Sequence, residues 1–227
     1  MKKLNNYITE RLKLSSKSNT YTCKPKDKPE LLKILEERLK KDKDADLNDI
    51  DVSEITDMCR LFEDLDPHNI KIDQWNVSNV KHMDDMFAEC ENLNCDLSNW
   101  DVSNLICSFG MFYGCKKFNS DLSKWDVSNI YNGAYMFGYC EEFNCDLSKW
   151  NVSNFENCSY MFAHCKNLDC DLSKWDVSNV EDMNNMFNCC QNFDCDLSQW
   201  NVSKVKFMGS AFFGCKIKGK HKPKFKK

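Results

Sequence analysis

Apolar and polar positions along most of this chain follow one frame that returns every 25 residues. A phenylalanine column from Phe62 to Phe212 and a valine column from Val52 to Val202 each continue through seven repeats. Six tryptophans mark the same frame without insertion or deletion: Trp75, Trp100, Trp125, Trp150, Trp175 and Trp200. A fixed period of roughly 20 to 50 residues is typical of stacked arrays. The pattern predicts a solenoid with a repeated surface and disfavours a catalytic pocket.

Each repeat divides into two halves with different periodicity. In the first half, exemplified by Phe193, Leu197 and Trp200, the apolar spacing predicts a short strand and a turn, and such strands would pair in parallel between repeats. In the second half, Ser178 and Glu181 form the pattern of a helix capping box, followed by one apolar helical face. The prediction is an α/β fold: a right-handed solenoid of about seven 25-residue units, with one short parallel strand and one short helix per unit.

A separate helix is predicted before the repeats. Pro29 favours a first helical turn, and Leu31, Leu35 and Leu39 then share one helical face. Because the end of a solenoid needs a cap with a polar outer surface, we expect this helix to cover the first repeat. The predicted segments are a polar N-terminal segment at 1–22, the helical cap at 23–45, the repeat solenoid at 46–215 and a lysine-rich tail at 216–227.

The net charge of −4 hides a strong asymmetry between these segments. Residues 46–215 carry 11 Lys/Arg against 28 Asp/Glu, whereas the tail carries seven lysines and no acidic residue. The tail is a candidate for binding a polyanion or nucleic acid, which needs only neutralisation of phosphates. Two alternatives remain open: the tail blunts the exposed edge of the sheet, or it folds back on the acidic repeats. The lysines concerned are Lys216, Lys218, Lys220, Lys222, Lys224, Lys226 and Lys227.

Aspartate and serine recur at the predicted turns and form the candidate protein-binding face. Its residues are Asp96, Asp121, Asp146, Asp171, Asp196, Ser98, Ser123, Ser148, Ser173 and Ser198. Aspartate ladders bind calcium in some solenoids, but aspartate and asparagine also hydrogen-bond the backbone of turns. In a second column, aspartate exchanges with Asn76, Asn151 and Asn201, which favours hydrogen bonding. Partner specificity is expected at variable positions, namely 81, 106, 131, 156, 181, 206 and the tips that follow each phenylalanine.

Fifteen cysteines follow the repeat as well. One column contains Cys90, Cys115, Cys140, Cys165, Cys190 and Cys215; a second contains Cys95, Cys145, Cys170 and Cys195, with Ser120 in the same position. Cysteine packs as a small hydrophobic side chain, so a reduced, buried ladder is the favoured interpretation. Disulfides between successive repeats are a second interpretation. Zinc is a third, which the C-x4-C spacing and the scattered histidines disfavour. No cofactor or metal is predicted.

The repeat matches a known pattern in seven registers. The matching residues include Met186-Phe187, Cys190, Phe193, Asp196-Leu197-Ser198, Trp200 and Val202-Ser203. Over roughly residues 22–215 the chain resembles the BspA-type leucine-rich repeat family, in its 25-residue class. The resemblance implies a leucine-rich-repeat solenoid. It also implies surface or interaction roles, since the family occurs in bacterial surface proteins, protists and phage or viral genomes.

We therefore expect a non-catalytic protein-interaction module, for recognition or as a scaffold, that presents a repeated sheet face to an unidentified protein. The alternatives are a polyanion- or nucleic-acid-associated protein acting through the tail, or an exported surface adhesin. No enzyme is expected, because no phosphate loop or catalytic set stands outside the repeat columns. The start of the chain lacks the apolar core of a signal peptide, and no apolar run of about 18 residues exists. A cytoplasmic or virion-associated monomer without a membrane span is expected.

Overall fold

The computed structural model describes residues 21–225. Regular secondary structure in this part consists of one α-helix, α1 at Lys28–Leu39, and a 3₁₀ helix at Gly219–His221. The remaining β contacts are isolated bridges, and turns, bends and coil make up most of the described chain. The predicted α/β solenoid with one strand and one helix per unit is therefore wrong, since no sheet forms among residues 21–225.

The repeats nevertheless stack on one another through contacts between equivalent residues. Single-residue parallel bridges connect neighbouring repeats along one line: Asp57, His82, Cys107, Asn132, Asn157, Asp182 and Phe207. Each bridge is one residue long, which is shorter than any β-strand. The stacking that the 25-residue period indicates is thus present, but it is made by turns instead of strands and helices.

Left-handed backbone explains why the second half of each repeat forms no helix. Asn185 has φ 54° and Cys189 has φ 58°, far from the helical value of about −63°. The N–H of Asn185 donates to the Gly209 carbonyl at 2.8 Å, and that of Phe187 donates to the Ala211 carbonyl at 2.9 Å. These N–H groups bond to the next repeat and not to a carbonyl four residues back, as an α-helix requires.

Turn formation likewise explains why the first half forms no strand. The Asp196 carboxylate accepts a hydrogen bond from the Ser198 N–H at 3.0 Å, which is the geometry of an Asx turn. The Trp200 N–H then donates to the Leu197 carbonyl at 3.0 Å. An N–H that bonds to a carbonyl three residues back closes a turn, so it is unavailable to a sheet.

Aromatic columns form the core of the stack. Trp150 and Trp175 have ring centroids 6.4 Å apart at an interplanar angle of 3°. Phe137 and Phe162 stack at 5.7 Å and 4°. The Trp150 indole N–H donates to the Leu122 carbonyl of the preceding repeat at 2.9 Å, and the other five tryptophans repeat this bond at 2.9–3.0 Å. The tryptophan spacing thus provides both a stacked ring and a buried donor with a partner.

The two cysteine columns have different hydrogen-bonding roles, and all fifteen cysteines are unpaired. In the first column, the thiol of Cys140 donates to the Phe112 carbonyl at 2.9 Å. In the second, the sulfur of Cys145 accepts the Leu122 N–H at 3.1 Å. The Ser120 hydroxyl accepts the Leu97 N–H at 3.0 Å in the same position. This shared acceptor role explains why serine replaces cysteine there, a reason that size alone did not reveal.

Helix α1 confirms the predicted N-terminal helix. The Asp27 carboxylate caps it by accepting the Glu30 N–H at 3.0 Å, and the buried side chains are those of Leu31, Leu35 and Leu39. A bidentate pair between Arg38 and Asp49 joins the helix to the first repeat at 2.7–2.8 Å. Most of the predicted polar segment at 1–22 lies outside the described residues. No helix within residues 21–225 has the length and apolar character needed to cross a membrane.

Candidate protein-interaction surface

The aspartates of the predicted binding face stabilise turns. Each is exposed, and its carboxylate accepts the N–H of the serine two residues later at 2.9–3.0 Å: Asp96 from Ser98, Asp121 from Ser123, Asp146 from Ser148, Asp171 from Ser173 and Asp196 from Ser198. Hydrogen bonds from these serines lower the pKa of Asp121, Asp146 and Asp171. The predicted sheet is absent from the part of the chain that the structure describes, and contact of this face with a protein stays a prediction.

The second aspartate column has the same turn role. The Asp126 carboxylate accepts the Ser128 N–H at 3.1 Å, and the Asn151 side-chain carbonyl accepts the Ser153 N–H at 3.2 Å. Because either oxygen makes this bond, aspartate and asparagine exchange freely in the column. Within residues 21–225, no group of three or more His, Cys, Asp or Glu side chains is placed to bind a metal ion.

The lysine-rich tail folds back on the last repeats over its described part. Lys218 forms an ion pair with Asp194 at 3.3 Å, and the Lys222 ammonium lies 5.6 Å from the Phe212 ring centroid. Lys216 donates to the Asn192 side chain at 3.2 Å. Lys220 and Lys224 are exposed, and Lys226 and Lys227 lie outside the described residues. The tail therefore packs against the repeats as one alternative had it, while polyanion binding stays a prediction.

A continuous cluster of aromatic rings lies on the surface of the middle repeats. We call it the aromatic patch, and its residues are Phe109, Tyr113, Tyr135, Tyr139, Tyr160 and His164. Neighbouring rings contact one another, with centroid separations of 4.4–5.9 Å. The closest are Tyr139 and His164 at 4.4 Å and Tyr135 and Tyr160 at 4.5 Å. Phe109 is 37% exposed and Tyr139 is 36% exposed, so the patch is accessible to a partner.

The positions of the aromatic patch are not needed for stacking. Where Tyr135 and Tyr160 stand, the other repeats have Arg60, Asp85, Gly110, Asn185 and Ser210. Small or polar side chains therefore support the same turn. The buried phenylalanine column, by contrast, never changes from Phe62 to Phe212. The turn of the repeat therefore does not by itself require aromatic rings at these variable positions.

The backbone at several positions of the aromatic patch is left-handed. Tyr135, Tyr139, Tyr160 and His164 all have left-handed φ values between 55° and 63°. Glycine and asparagine adopt this region readily, whereas a bulky residue there costs on the order of 1–3 kcal/mol. Equivalent positions in other repeats have the same left-handed backbone and carry Gly110 and Gly114, but also Asp85, Asn185 and Cys189. The left-handed turn therefore belongs to the repeat, and it accepts side chains of very different size.

A cleft of about 220 Å³ opens within the patch, between Phe109, Gly110, Tyr113 and Tyr135, with Asp85 at its rim. A Cβ atom at Gly110 would lie 2.1 Å from an Asp85 carboxylate oxygen, so the glycine makes room for that carboxylate. Burial raises the pKa of Asp85, although the Arg60 guanidinium lies 3.7 Å away. The cleft therefore combines aromatic walls with a partly desolvated carboxylate.

A second carboxylate lies on the same side. A Cβ atom at Gly114 would lie 2.7 Å from a carboxylate oxygen of Glu89, which therefore reaches over the next repeat as Asp85 does. Burial and the nearby Glu89 carboxylate raise the pKa of Tyr113. The aromatic patch is thus bordered by two acidic groups, and this arrangement favours basic over acidic contacts.

Comparison with known protein families shows to which family this chain belongs. A family model described as "Mycoplasma protein of unknown function, DUF285" matches residues 33–148 and again residues 111–224. Together the two matches span most of the sequence. The chain belongs to the DUF285 family. The overlap of the matches reflects an internal repeat that aligns in more than one register, which is consistent with a BspA-related repeat. No curated protein and no solved structure matches this DUF285 chain.

The sequence indicated only part of the surface that this DUF285 protein presents. The predicted tips after each phenylalanine include Tyr113 and Tyr139, but Phe109, Tyr135 and Tyr160 precede the phenylalanine and were missed. A usable signal was present: aromatic residues at positions that are small or polar in the other repeats. Of the other variable positions, 131 carries a tyrosine that is 47% exposed.

Proposed function

We propose that this DUF285 protein is a non-catalytic protein-interaction module that contacts its partner through the aromatic patch. The observation that carries the proposal is a contiguous, partly exposed set of six rings at positions that stacking does not require. Tyrosine is enriched at protein interfaces, because it supplies a large rigid contact area with a polar tip. Contiguous exposed apolar surface marks interaction sites more often than it marks chance exposure.

The acidic groups around the aromatic patch indicate which kind of partner surface would bind it. The carboxylates of Asp85 and Glu89 border the rings, and residues 46–215 carry 28 acidic against 11 basic side chains. A partner surface with apolar groups and lysine or arginine side chains fits both features. The cations would gain from the aromatic faces as well as from the carboxylates. The resemblance to BspA-type repeats supports the same role, since that family is associated with surface and interaction functions.

Substitutions taken from the other repeats allow a sharp test. Tyr113→Ala, Tyr135→Asn and Tyr139→Gly introduce the residues that stand at the same positions as Ala88, Asn185 and Gly114. The matched control changes the predicted aspartate face through Asp121→Asn and Asp146→Asn, which retains the turn hydrogen bonds. Both variants and the wild type would be used to capture proteins from a lysate of the source organism. Quantitative mass spectrometry would then measure how much of each captured protein binds to each form.

We expect one discrete protein to bind the wild type and the aspartate control, and to be depleted about tenfold or more on the triple variant, as loss of interface anchors requires. Calorimetry with that purified protein would then give the affinity of each variant. Equal capture by all three forms, or loss on the aspartate control alone, would refute the aromatic patch as the contact surface.

A further inference from the structure

The stack of repeats ends in an unpaired row of backbone donors. In the preceding repeat, four alternate N–H groups donate at 2.7–2.9 Å to carbonyls of the last repeat: Met183 to Phe207, Asn185 to Gly209, Phe187 to Ala211 and Cys189 to Phe213. The equivalent N–H groups of the last repeat are those of Met208, Ser210, Phe212 and Gly214. Within residues 21–225, none of these four has a hydrogen-bond acceptor. We call residues 207–214 the donor edge.

Most backbone carbonyls of the donor edge are already engaged; an exception is the Phe212 carbonyl, whose equivalent at Phe187 accepts the Cys215 thiol of the next repeat and which accepts no hydrogen bond within the described residues. The carbonyls at 207, 209, 211 and 213 already face the preceding repeat. The carbonyls of Met208 and Ser210 accept the N–H groups of Ala211 and Phe213 at 3.2 and 3.1 Å within the same turn. A second copy of the same edge could not pair with it, because donors would face donors. The partner must therefore supply hydrogen-bond acceptors.

Apolar side chains surround these donors. Phe213 is 69% exposed, Phe207 57% and Met208 43%, whereas Met183, one repeat earlier, is only 1% exposed. At the opposite end of the stack, the equivalent Met58 is fully buried. The first repeat therefore lacks the exposed apolar side chain that the last repeat presents at this position. End-to-end association of copies is the alternative that the experiment below tests.

The folded-back tail closes only part of the last repeat. The His221 carbonyl accepts the Leu197 N–H at 2.8 Å, which replaces the acceptor that a further repeat would supply, and Ile217 is buried. No comparable contact reaches the N–H groups of the donor edge within the described residues. Residues 201–225 also contain seven lysines and no acidic residue. A positive end with open donors attracts acidic partners.

We propose that the donor edge binds an acidic polypeptide segment of another protein, which adds one further layer to the stack. Its backbone carbonyls would accept the four N–H groups, as the carbonyls of each following repeat do inside the protein. Its apolar side chains would cover Phe207, Met208 and Phe213, and its carboxylates would face the lysines of the last repeat and tail. This surface is separate from the aromatic patch and does not depend on it.

The protein itself contains a suitable probe. A synthetic peptide that copies residues 80–92, with serine in place of Cys90, carries Met83, Met86 and Phe87 together with four acidic residues. It would be titrated against the full chain, and amide hydrogen exchange would be measured by NMR. We expect saturable binding that weakens with added salt, and exchange slowed tenfold or more at Met208, Ser210, Phe212 and Gly214.

Two protein variants and one control peptide make the test specific. Phe213→Asp should weaken binding tenfold or more without unfolding the protein, because this side chain is mostly exposed. Tyr131→Asp changes an aromatic residue that is 47% exposed and lies far along the stack, and it should leave binding unchanged. The peptide with asparagine and glutamine in place of its four acids should bind more weakly. Absence of saturable binding, equal loss in both variants, or protection of the four amides by self-association of the protein would overturn the proposal.

Discussion

Phe137 and Tyr135 are two residues apart in the chain, yet their rings obey different requirements. Phe137 is fully buried and stacks on Phe112 at 5.6 Å and Phe162 at 5.7 Å. Tyr135 lies on the surface in left-handed backbone and stacks on Tyr160 at 4.5 Å. The buried ring recurs in every repeat, whereas the surface ring does not. In a repeat protein, a side chain that recurs at every repeat therefore indicates the packing of the stack, and a position that varies among repeats is free to serve another use.

Removing a buried ring should have the largest effect. Phe137→Ala deletes a side chain that also contacts Phe143 at 4.2 Å, and we expect the free energy of unfolding to fall by about 3–5 kcal/mol. Urea denaturation followed by tryptophan fluorescence would measure this. Phe137→Leu, which fills most of the volume, should lose less. A loss under about 1 kcal/mol for the alanine variant would show that the column does not stabilise the stack.

The buried thiols should make stability depend on alkaline pH. Burial raises the pKa of Cys90 from 9.0 to about 12. The native thiol therefore keeps its proton at pH values where the unfolded thiol has lost it. Between about pH 9 and 12 the unfolding free energy should fall with rising pH, by about 1.4 kcal/mol per pH unit for this group. Below pH 9 its contribution should be constant.

Cys90→Ala provides the control for this pH dependence. It should be less stable than the wild type at pH 8 because it loses the hydrogen bond to the Phe62 carbonyl, but its stability should decline less steeply at high pH. Denaturation at pH 8, 10 and 11 would compare the two. Parallel curves for both proteins would show that the buried thiol does not titrate as expected.

The turn aspartates should have a smaller effect. Asp146→Ala removes the hydrogen bond to the Ser148 N–H, and we expect a loss of about 1 kcal/mol. Asp146→Asn retains a side-chain oxygen at the same place and should stay within about 0.5 kcal/mol of the wild type. Thermal denaturation of the wild type and both variants, with and without calcium, would measure these changes in stability. Stabilisation of the wild type by calcium that is lost in the asparagine variant would favour the metal-binding interpretation.

A similarly small change in stability is expected at the surface ring. Tyr135→Asn relieves a left-handed tyrosine but removes its contact with Tyr160, so the two effects should cancel to within about 1 kcal/mol. Chemical denaturation of this variant and of the Phe137 variants under the same conditions would compare the free energies of unfolding directly. A loss of several kcal/mol would assign Tyr135 to the stacking machinery and weaken the argument for an interaction surface.

Local chemistry was readable from the sequence where it acts over a few residues. The spacing of Leu31, Leu35 and Leu39 predicted helix α1, and exchange between aspartate and asparagine indicated turns. The helix predicted from the capping box at Ser178 and Glu181 was wrong. An amphipathic spacing alone does not determine which carbonyls accept the backbone N–H groups. Asn185 adopts left-handed backbone, and its N–H bonds to Gly209 in the next repeat.

By itself, the sequence determined the repeat length, the side chains that form the columns and the residues that close the turns, because spacing and side-chain chemistry are properties of the chain. The tertiary structure decided where each backbone N–H finds its acceptor, since that partner lies 24 residues away for Asn185. It also brought Phe109 and Tyr135 into contact and left the donor edge open. Both surfaces arise from how one repeat sits on the next, and this geometry is absent from the order of residues within a single repeat.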